Sequence, residues 1–205
     1  MILAIESSCD DSSLAIMRIN DYSLIHYEKI SQEAQHEKYG GVVPELACRL
    51  HTSAIPAMIE RAKPYFKHLK ALCATSEPGL SVSLIGGICA VRALSVGLNI
   101  KAFGVNHLIG HIYSLFLQSE ISLPLGVLLV SGGHTMVLEI SKEREISVLC
   151  ATGDDSFGES FDKVAKMLNL GYPGGVKIEN LAKNGDEKAF DFTLPLKGQK
   201  RIEYS

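Results

Sequence analysis

One succession of elements occurs twice in this chain, and it constrains the fold more than any other feature. Residues 2–5 form a short apolar run that ends in Glu6-Ser7-Ser8-Cys9-Asp10-Asp11-Ser12-Ser13, followed by apolar runs over 14–19 and 23–30. Residues 126–130 begin the pattern again, with Ser131-Gly132-Gly133-His134-Thr135 as the turn, 136–140 as the return and 146–151 as a third run. Short apolar runs bounded by Gly, Ser and Asp read as buried strands. Each half therefore opens strand, small polar turn, strand, strand. Between the two halves, Leu46, Leu50, Ile55, Met58 and Ile59 recur at helical spacing, 71–75 is a strand, and a small-residue helix follows Pro78-Gly79-Leu80. A further strand over 102–105 leads into a helix that Asn106 can cap. Strands alternating with helices specify an α/β fold.

Several details carry expectations. Residues 31–41 read as a polar loop, and Pro56 predicts a break or kink in the helix that begins near Pro44. His51 on that helix reads as a packed or solvated histidine. Gly86, Gly87 and Gly97 lower helix propensity, so their expected use is close approach to a neighbouring element. The five cysteines, Cys9, Cys48, Cys73, Cys89 and Cys150, form no CxxC pair and read as reduced core thiols.

Composition sets limits on partners. A net charge of −3 supplies no global basic field, so a nucleic-acid partner must meet a local patch or be presented by another subunit. The opening Met1-Ile2-Leu3-Ala4-Ile5-Glu6 has no basic leader, and no apolar stretch reads as long enough to cross a bilayer. The expectation is a cytoplasmic protein with no membrane partner. Domains are expected at 1–125 and 126–205.

Three groups of residues carry chemistry. His107 and His111 stand four residues apart, on one face of a helix, as a bidentate metal platform. With seven histidines in 205 residues the spacing alone is a weak signal. The hydroxyl-rich acidic turn at 6–13 suits phosphate or Mg²⁺ contact, with an ordinary Ser/Asp turn as the alternative. Gly132 and Gly133 allow backbone amides to approach an anion.

These stretches together resemble the TsaD family of tRNA threonylcarbamoyladenosine synthases, formerly called Gcp glycoproteases. The resemblance rests on Ile5-Glu6-Ser7-Ser8-Cys9-Asp10-Asp11, Tyr39-Gly40-Gly41-Val42-Val43-Pro44-Glu45, Pro78-Gly79-Leu80, His107-Leu108-Ile109-Gly110-His111, Ser131-Gly132-Gly133-His134-Thr135, Gly158-Glu159-Ser160-Phe161-Asp162-Lys163 and Tyr172-Pro173-Gly174-Gly175. It implies a duplicated ribonuclease-H-like fold, as in actin, heat-shock chaperones and sugar kinases, with the second lobe incomplete in this chain. It implies an acyltransferase that moves threonylcarbamoyl from its adenylate to N6 of the adenosine 3′ to the anticodon in tRNA. His107 and His111 match the family's metal ligands, for one divalent ion, Fe²⁺ or Zn²⁺. Leu129, Val130, Ser131, Gly132, Gly133, Asp162, Gly175 and Glu179 match positions that bind ATP or threonylcarbamoyl-adenylate, and Asp10 and Asp11 match an acidic pair linked to catalysis. The implied partners are tRNA, a homologous non-catalytic subunit and a P-loop ATPase.

The sequence also departs from the family pattern. Ser76-Glu77 replaces a glycine-rich run, and Ile109 replaces an acidic residue between the histidines. The family's third protein ligand, an aspartate, has no counterpart here, so these 205 residues by themselves are expected to be inactive in transfer. The competing readings are a non-catalytic paralogous subunit, an actin-like or sugar-kinase ATPase, and a metalloprotease. The last needs Glu where Leu108 stands.

Overall fold

The computed structural model describes residues 1–117, 120–194 and 196–198. The chain divides into two compact units, Met1–Ser119 and Glu120–Ser205.

In the first unit, β1 (Ile2–Glu6) pairs antiparallel with β2 (Asp11–Met17), which pairs antiparallel with β3 (Leu24–Ser31). On its other side β1 pairs parallel with β4 (Ala71–Glu77), and β4 pairs parallel with β5 (Ala102–Asn106). The order β3-β2-β1-β4-β5 is the ribonuclease-H-like arrangement expected from the sequence. Side chains alternate across a strand, so Leu3 and Ile5 of β1, Leu14 and Ile16 of β2 and Leu72 of β4 share one buried face. Ile55, Met58 and Ala62 of α2 (Pro44–Ala62) and Val91 of α3 (Ser81–Leu98) cover it. Burial of each Leu or Ile contributes about 1.5–3 kcal/mol, which makes this face the core. The opposite face bears Ala4, Glu6, Ser13 and Ala15, which stay partly exposed and line a cavity.

Some expectations need correction. The polar loop at 31–41 contains a short helix, α1 (Glu33–Glu37), because its His36 is fully buried and anchors the turn. Pro56 does not end α2. It costs one backbone hydrogen bond on an exposed face, while Ile55 and Met58 beside it are packed in the core. Of the three glycines in α3, only Gly87 is tightly approached: a Cβ there would lie 2.7 Å from Ser7 Oγ, whereas Gly97 faces open space. The five cysteines are free, but Cys9 and Cys89 are exposed rather than core. The sequence also contains a stretch long and apolar enough to cross a membrane, namely α3, with a mean hydropathy of 1.7. In the fold that helix packs on α2 and β4 and places Ser83, Leu84, Gly87 and Val91 in the interior.

A buried polar network joins the first turn to α1 and α2. His51 Nε2 donates to the Cys9 carbonyl at 2.9 Å, an acceptor only, which leaves Nδ1 to accept from Ser12 Oγ at 2.7 Å. Val43 N–H donates to His36 Nδ1 at 3.2 Å, so His36 Nε2 donates to Gln32 Oε1 at 3.2 Å. Gln32 Nε2 completes the chain toward His51 Nδ1 and the Ala47 carbonyl. One consistent set of protons satisfies every member. His51 is thus a packed histidine, in agreement with its reading from sequence.

Gly79 marks where the loop before α3 crosses the end of β1. A Cβ at Gly79 would sit 2.6 Å from the Ser8 carbonyl oxygen, which is backbone and already accepts from Leu80 N–H at 2.7 Å. Gly79→Ala is expected to lower stability by about 1–3 kcal/mol through overpacking. Gly97→Ala, with nothing nearby, is expected to raise it by about 0.5–1 kcal/mol. Urea denaturation midpoints at unchanged slope test both, and equal midpoints for the two variants would contradict the contact at Ser8.

The second unit holds an antiparallel meander, β6 (Leu125–Val130), β7 (Thr135–Ile140) and β8 (Ile146–Ala151), in the order β6-β7-β8. Val127, Leu129, Leu138 and Ile140 are buried on one face. Two helices follow, α5 (Phe157–Met167) and α6 (Gly175–Ala182), and they pack on each other. Ser156 caps α5 by accepting from Glu159 N–H.

Candidate metal centre

The helix α4 (His107–Ser114) starts directly after β5, and its start is set by Asn106, whose side chain accepts from Leu108 N–H at 2.9 Å and Ile109 N–H at 3.2 Å. Fixing the first turn fixes His107, and helical spacing brings His111 onto the same face. The two Nε2 atoms converge to 3.1 Å. Two nitrogens bound to one tetrahedral ion at about 2.0–2.1 Å stand about 3.3 Å apart, so the pair fits a divalent metal. No group of three or more His, Cys, Asp or Glu side chains suited to a metal gathers among the described residues, so the platform is bidentate.

Behind His107 lies Glu6, at the carboxyl end of β1. Its Oε2 is 3.1 Å from His107 Nδ1, and Ser8 Oγ is 3.2 Å from the same nitrogen. Ser8 N–H donates to Glu6 Oε1 at 2.5 Å, and Thr75 Oγ1 donates to Oε2. Desolvation pushes the Glu6 carboxyl up, but hydrogen bonds from His107, Ser8 and Thr75 outweigh it and hold the group at about 2. Glu6 is therefore an anion at neutral pH. It also lines the cavity of about 460 Å³ on the open face of the sheet, together with Thr75, Asn106, His107, Gly110 and His111. All of these residues lie at the carboxyl ends of the parallel strands or on the helix that follows, where open α/β sheets bind ligands.

The other residues singled out in the sequence fall in different settings. Asp11 opens β2, and one of its oxygens pairs with Lys29 Nζ at 2.6 Å while the other is buried with no hydrogen-bond partner among the described residues. Asp10 lies beside Cys9, whose thiol is pushed up to about 12 by desolvation and by the Asp10 carboxylate. A thiol held protonated in this way is no nucleophile at neutral pH. In the second unit, Leu129 is a core residue at 7% exposure, so its side chain is unavailable to a ligand, whereas Val130 is exposed. The glycine turn is held by its own serine: Ser131 Oγ accepts from Gly133 N–H at 3.3 Å and His134 N–H at 3.0 Å. Neither Gly132 nor Gly133 has a positive φ or a neighbour a Cβ would meet, so openness rather than backbone strain is their use. Gly158 at the start of α5 is the tight contact, with a Cβ there 2.8 Å from the Ser131 carbonyl oxygen. Asp162 Oδ1 accepts from Gly174 N–H at 2.7 Å, which brings it beside Gly175 at the start of α6. Glu179 is exposed one turn further along α6.

Comparison with known proteins places the chain. The profile of TsaD, tRNA N6-adenosine threonylcarbamoyltransferase, matches residues 23–205. The chain belongs to the TsaD family. It is 64% identical over 205 residues to the tRNA N6-adenosine threonylcarbamoyltransferase of Campylobacter fetus, covering all of this chain and 61% of that protein. The Nitratiruptor enzyme of the same name is 60% identical, with 62% of its length covered. The chain thus spans about 61% of the length of these curated TsaD relatives. YeaZ from Pseudomonas aeruginosa superimposes with a TM-score of 0.43 at 14% identity, over 72% of this chain and 63% of that one. By their name, these relatives transfer threonylcarbamoyl to N6 of an adenosine in tRNA. Sequence reasoning placed Glu6 in the hydroxyl-rich acidic turn and in a TsaD motif but not beside the histidine pair, and it missed Thr75. The available signal was a lone carboxylate ending a buried apolar strand.

Proposed function

We propose that this chain acts in threonylcarbamoyl transfer to N6 of the adenosine 3′ to the anticodon of tRNA, with His107 and His111 holding the reaction's metal. The observation that supports this most directly is the 3.1 Å convergence of the two imidazole Nε2 atoms at the rim of a cavity. The ion is Fe²⁺ or Zn²⁺, both suited to imidazole ligands, and when bound it supplies Lewis acidity toward a carbonyl oxygen. The residues of the chain do the positioning. Asn106 sets the helix start, His107 and His111 bring their Nε2 atoms together, and Glu6 stands 3.1 Å from His107 Nδ1.

In the second unit, Val130, Ser131, Gly132 and Gly133 form the turn assigned to the ATP or threonylcarbamoyl-adenylate ligand, with Asp162, Gly175 and Glu179 as further contacts. Leu129 contributes at most its backbone, since its side chain is buried. Asp10 and Asp11 are assigned to the catalytic step, with Asp11 steadied by Lys29. The partners are tRNA, a homologous non-catalytic subunit and a P-loop ATPase, in the cytoplasm.

The test is tRNA modification, run on these 205 residues and on the same residues continued with the remaining segment of the Campylobacter fetus relative. Each is incubated with partner proteins, tRNA, threonine, bicarbonate and ATP, and the digested tRNA is read by mass spectrometry. Modified nucleoside is expected from the longer protein and is lost in its His107→Ala, His111→Ala variant. ATP turnover with no modified nucleoside would instead favour an actin-like or sugar-kinase ATPase.

A further inference from the structure

We infer that Glu6 is a positioning residue for the metal: it accepts the Nδ1–H of His107, fixes that ring's tautomer and orientation, and so aims the Nε2 lone pair at the ion. This rests on the reading of His107 and His111 as the metal pair. The carboxylate touches Nδ1, the nitrogen on the far side of the ring from Nε2, so it acts through the histidine rather than as a ligand. Its own orientation is fixed at both oxygens, by Ser8 N–H at Oε1 and by Thr75 Oγ1–H at Oε2. Thr75 is itself held in β4, opposite Val105 of β5, next to the start of α4. Three parallel strands thus contribute one part each: the carboxylate from β1, its hydroxyl donor from β4, and the imidazole from the end of β5. A carboxylate behind an imidazole raises the basicity of the ligating nitrogen as well as orienting it.

Proton accounting leads to the same assignment. Both Glu6 oxygens already accept, Oε1 from Ser8 N–H and Oε2 from Thr75 Oγ1–H, so the Nδ1 that faces Oε2 carries the hydrogen, and Nε2 is left with a lone pair. Ser8 Oγ, 3.2 Å from the same Nδ1, is within reach of that hydrogen as a second acceptor. Without Glu6 the ring is free to put its proton on Nε2, where it would occupy the metal position.

The experiment compares wild type, Glu6→Gln, Glu6→Ala and the His107→Ala, His111→Ala double variant by calorimetric titration with Zn²⁺. Melting temperature and ¹⁵N NMR of the metal-free imidazoles are recorded alongside. Wild type is expected to show His107 as the Nδ1–H tautomer. Glu6→Gln keeps an acceptor but loses the charge and is expected to bind Zn²⁺ about tenfold more weakly, and Glu6→Ala up to about a hundredfold more weakly with a mixed tautomer. The isosteric Gln variant decides the matter should the Ala variant not fold. Unchanged affinity in Glu6→Gln, with the histidine variant losing the metal, overturns the role of Glu6 and leaves the metal pair standing. Equal Zn²⁺ binding by wild type and the double histidine variant overturns the metal pair, and the role of Glu6 with it. A wild-type His107 protonated on Nε2 also overturns the proposal, whatever the affinities.

Discussion

His107→Ala together with His111→Ala is expected to weaken Zn²⁺ or Fe²⁺ binding by at least about a hundredfold, or about 2.7 kcal/mol. The two Nε2 atoms already stand 3.1 Å apart on a capped helix, so little ordering remains to be done when an ion arrives. Removing one imidazole leaves a single ligand, and the chelate is lost. Each single variant is therefore expected to lose most of the affinity that the double variant loses. Calorimetric titration gives the numbers directly. An affinity in the double variant equal to wild type would remove this helix from the metal site. With two protein ligands among the described residues, where catalytic zinc sites commonly use three, absolute affinity is expected to be modest.

The second large effect is on stability. His51→Leu is expected to cost about 2–4 kcal/mol, because it preserves bulk while removing a donor from the Cys9 carbonyl and an acceptor from Ser12 Oγ. Ser12 and His51 are both 0% exposed, so water is not at hand to replace the acceptor that Ser12 Oγ loses. Gln32 loses its contact to His51 but keeps the Ala47 carbonyl and His36 Nε2, which centres the damage on the turn at residues 8–12. Urea denaturation measures the loss, and amide hydrogen exchange is expected to locate it in that turn. A change below about 0.5 kcal/mol would show that the network is decorative.

The strands were legible because their signal is local. Residues 146–151 read as a strand and form β8 with the same limits, and Asn106 was identified as a cap from its place before an apolar helix. The five-residue α1 was not, since a single turn shows no periodicity and its anchor, His36, looks like any polar loop residue. Pro56 misled because propensity is a local cost that packing of Ile55 and Met58 overrides. The histidine pair was visible as a spacing, whereas Glu6 was not visible as its support. The contact joins β1 to α4 across most of the first unit, and only the sheet order puts those two ends side by side. Leu129 shows the converse limit: a motif marks a segment, but strand alternation decides which of its side chains face outward.

The parallel pairing of β1 with β4 also has a consequence for synthesis. Ile2 is matched with Ala71 and Ile5 with Ala74, so the central strand is made first and waits for its neighbour. Its antiparallel partner β2 follows within a few residues, and a β1-β2-β3 hairpin ribbon can assemble in microseconds. At about 5–20 residues per second of translation, the other edge of β1 stays open for several seconds at least. Until α2 has been made, Leu3, Ile5, Leu14 and Ile16 also have no helix above them. The nascent ribbon is thus the stage most exposed to chaperone capture or edge-to-edge association, and slowing translation across residues 32–70 is expected to lower the soluble yield.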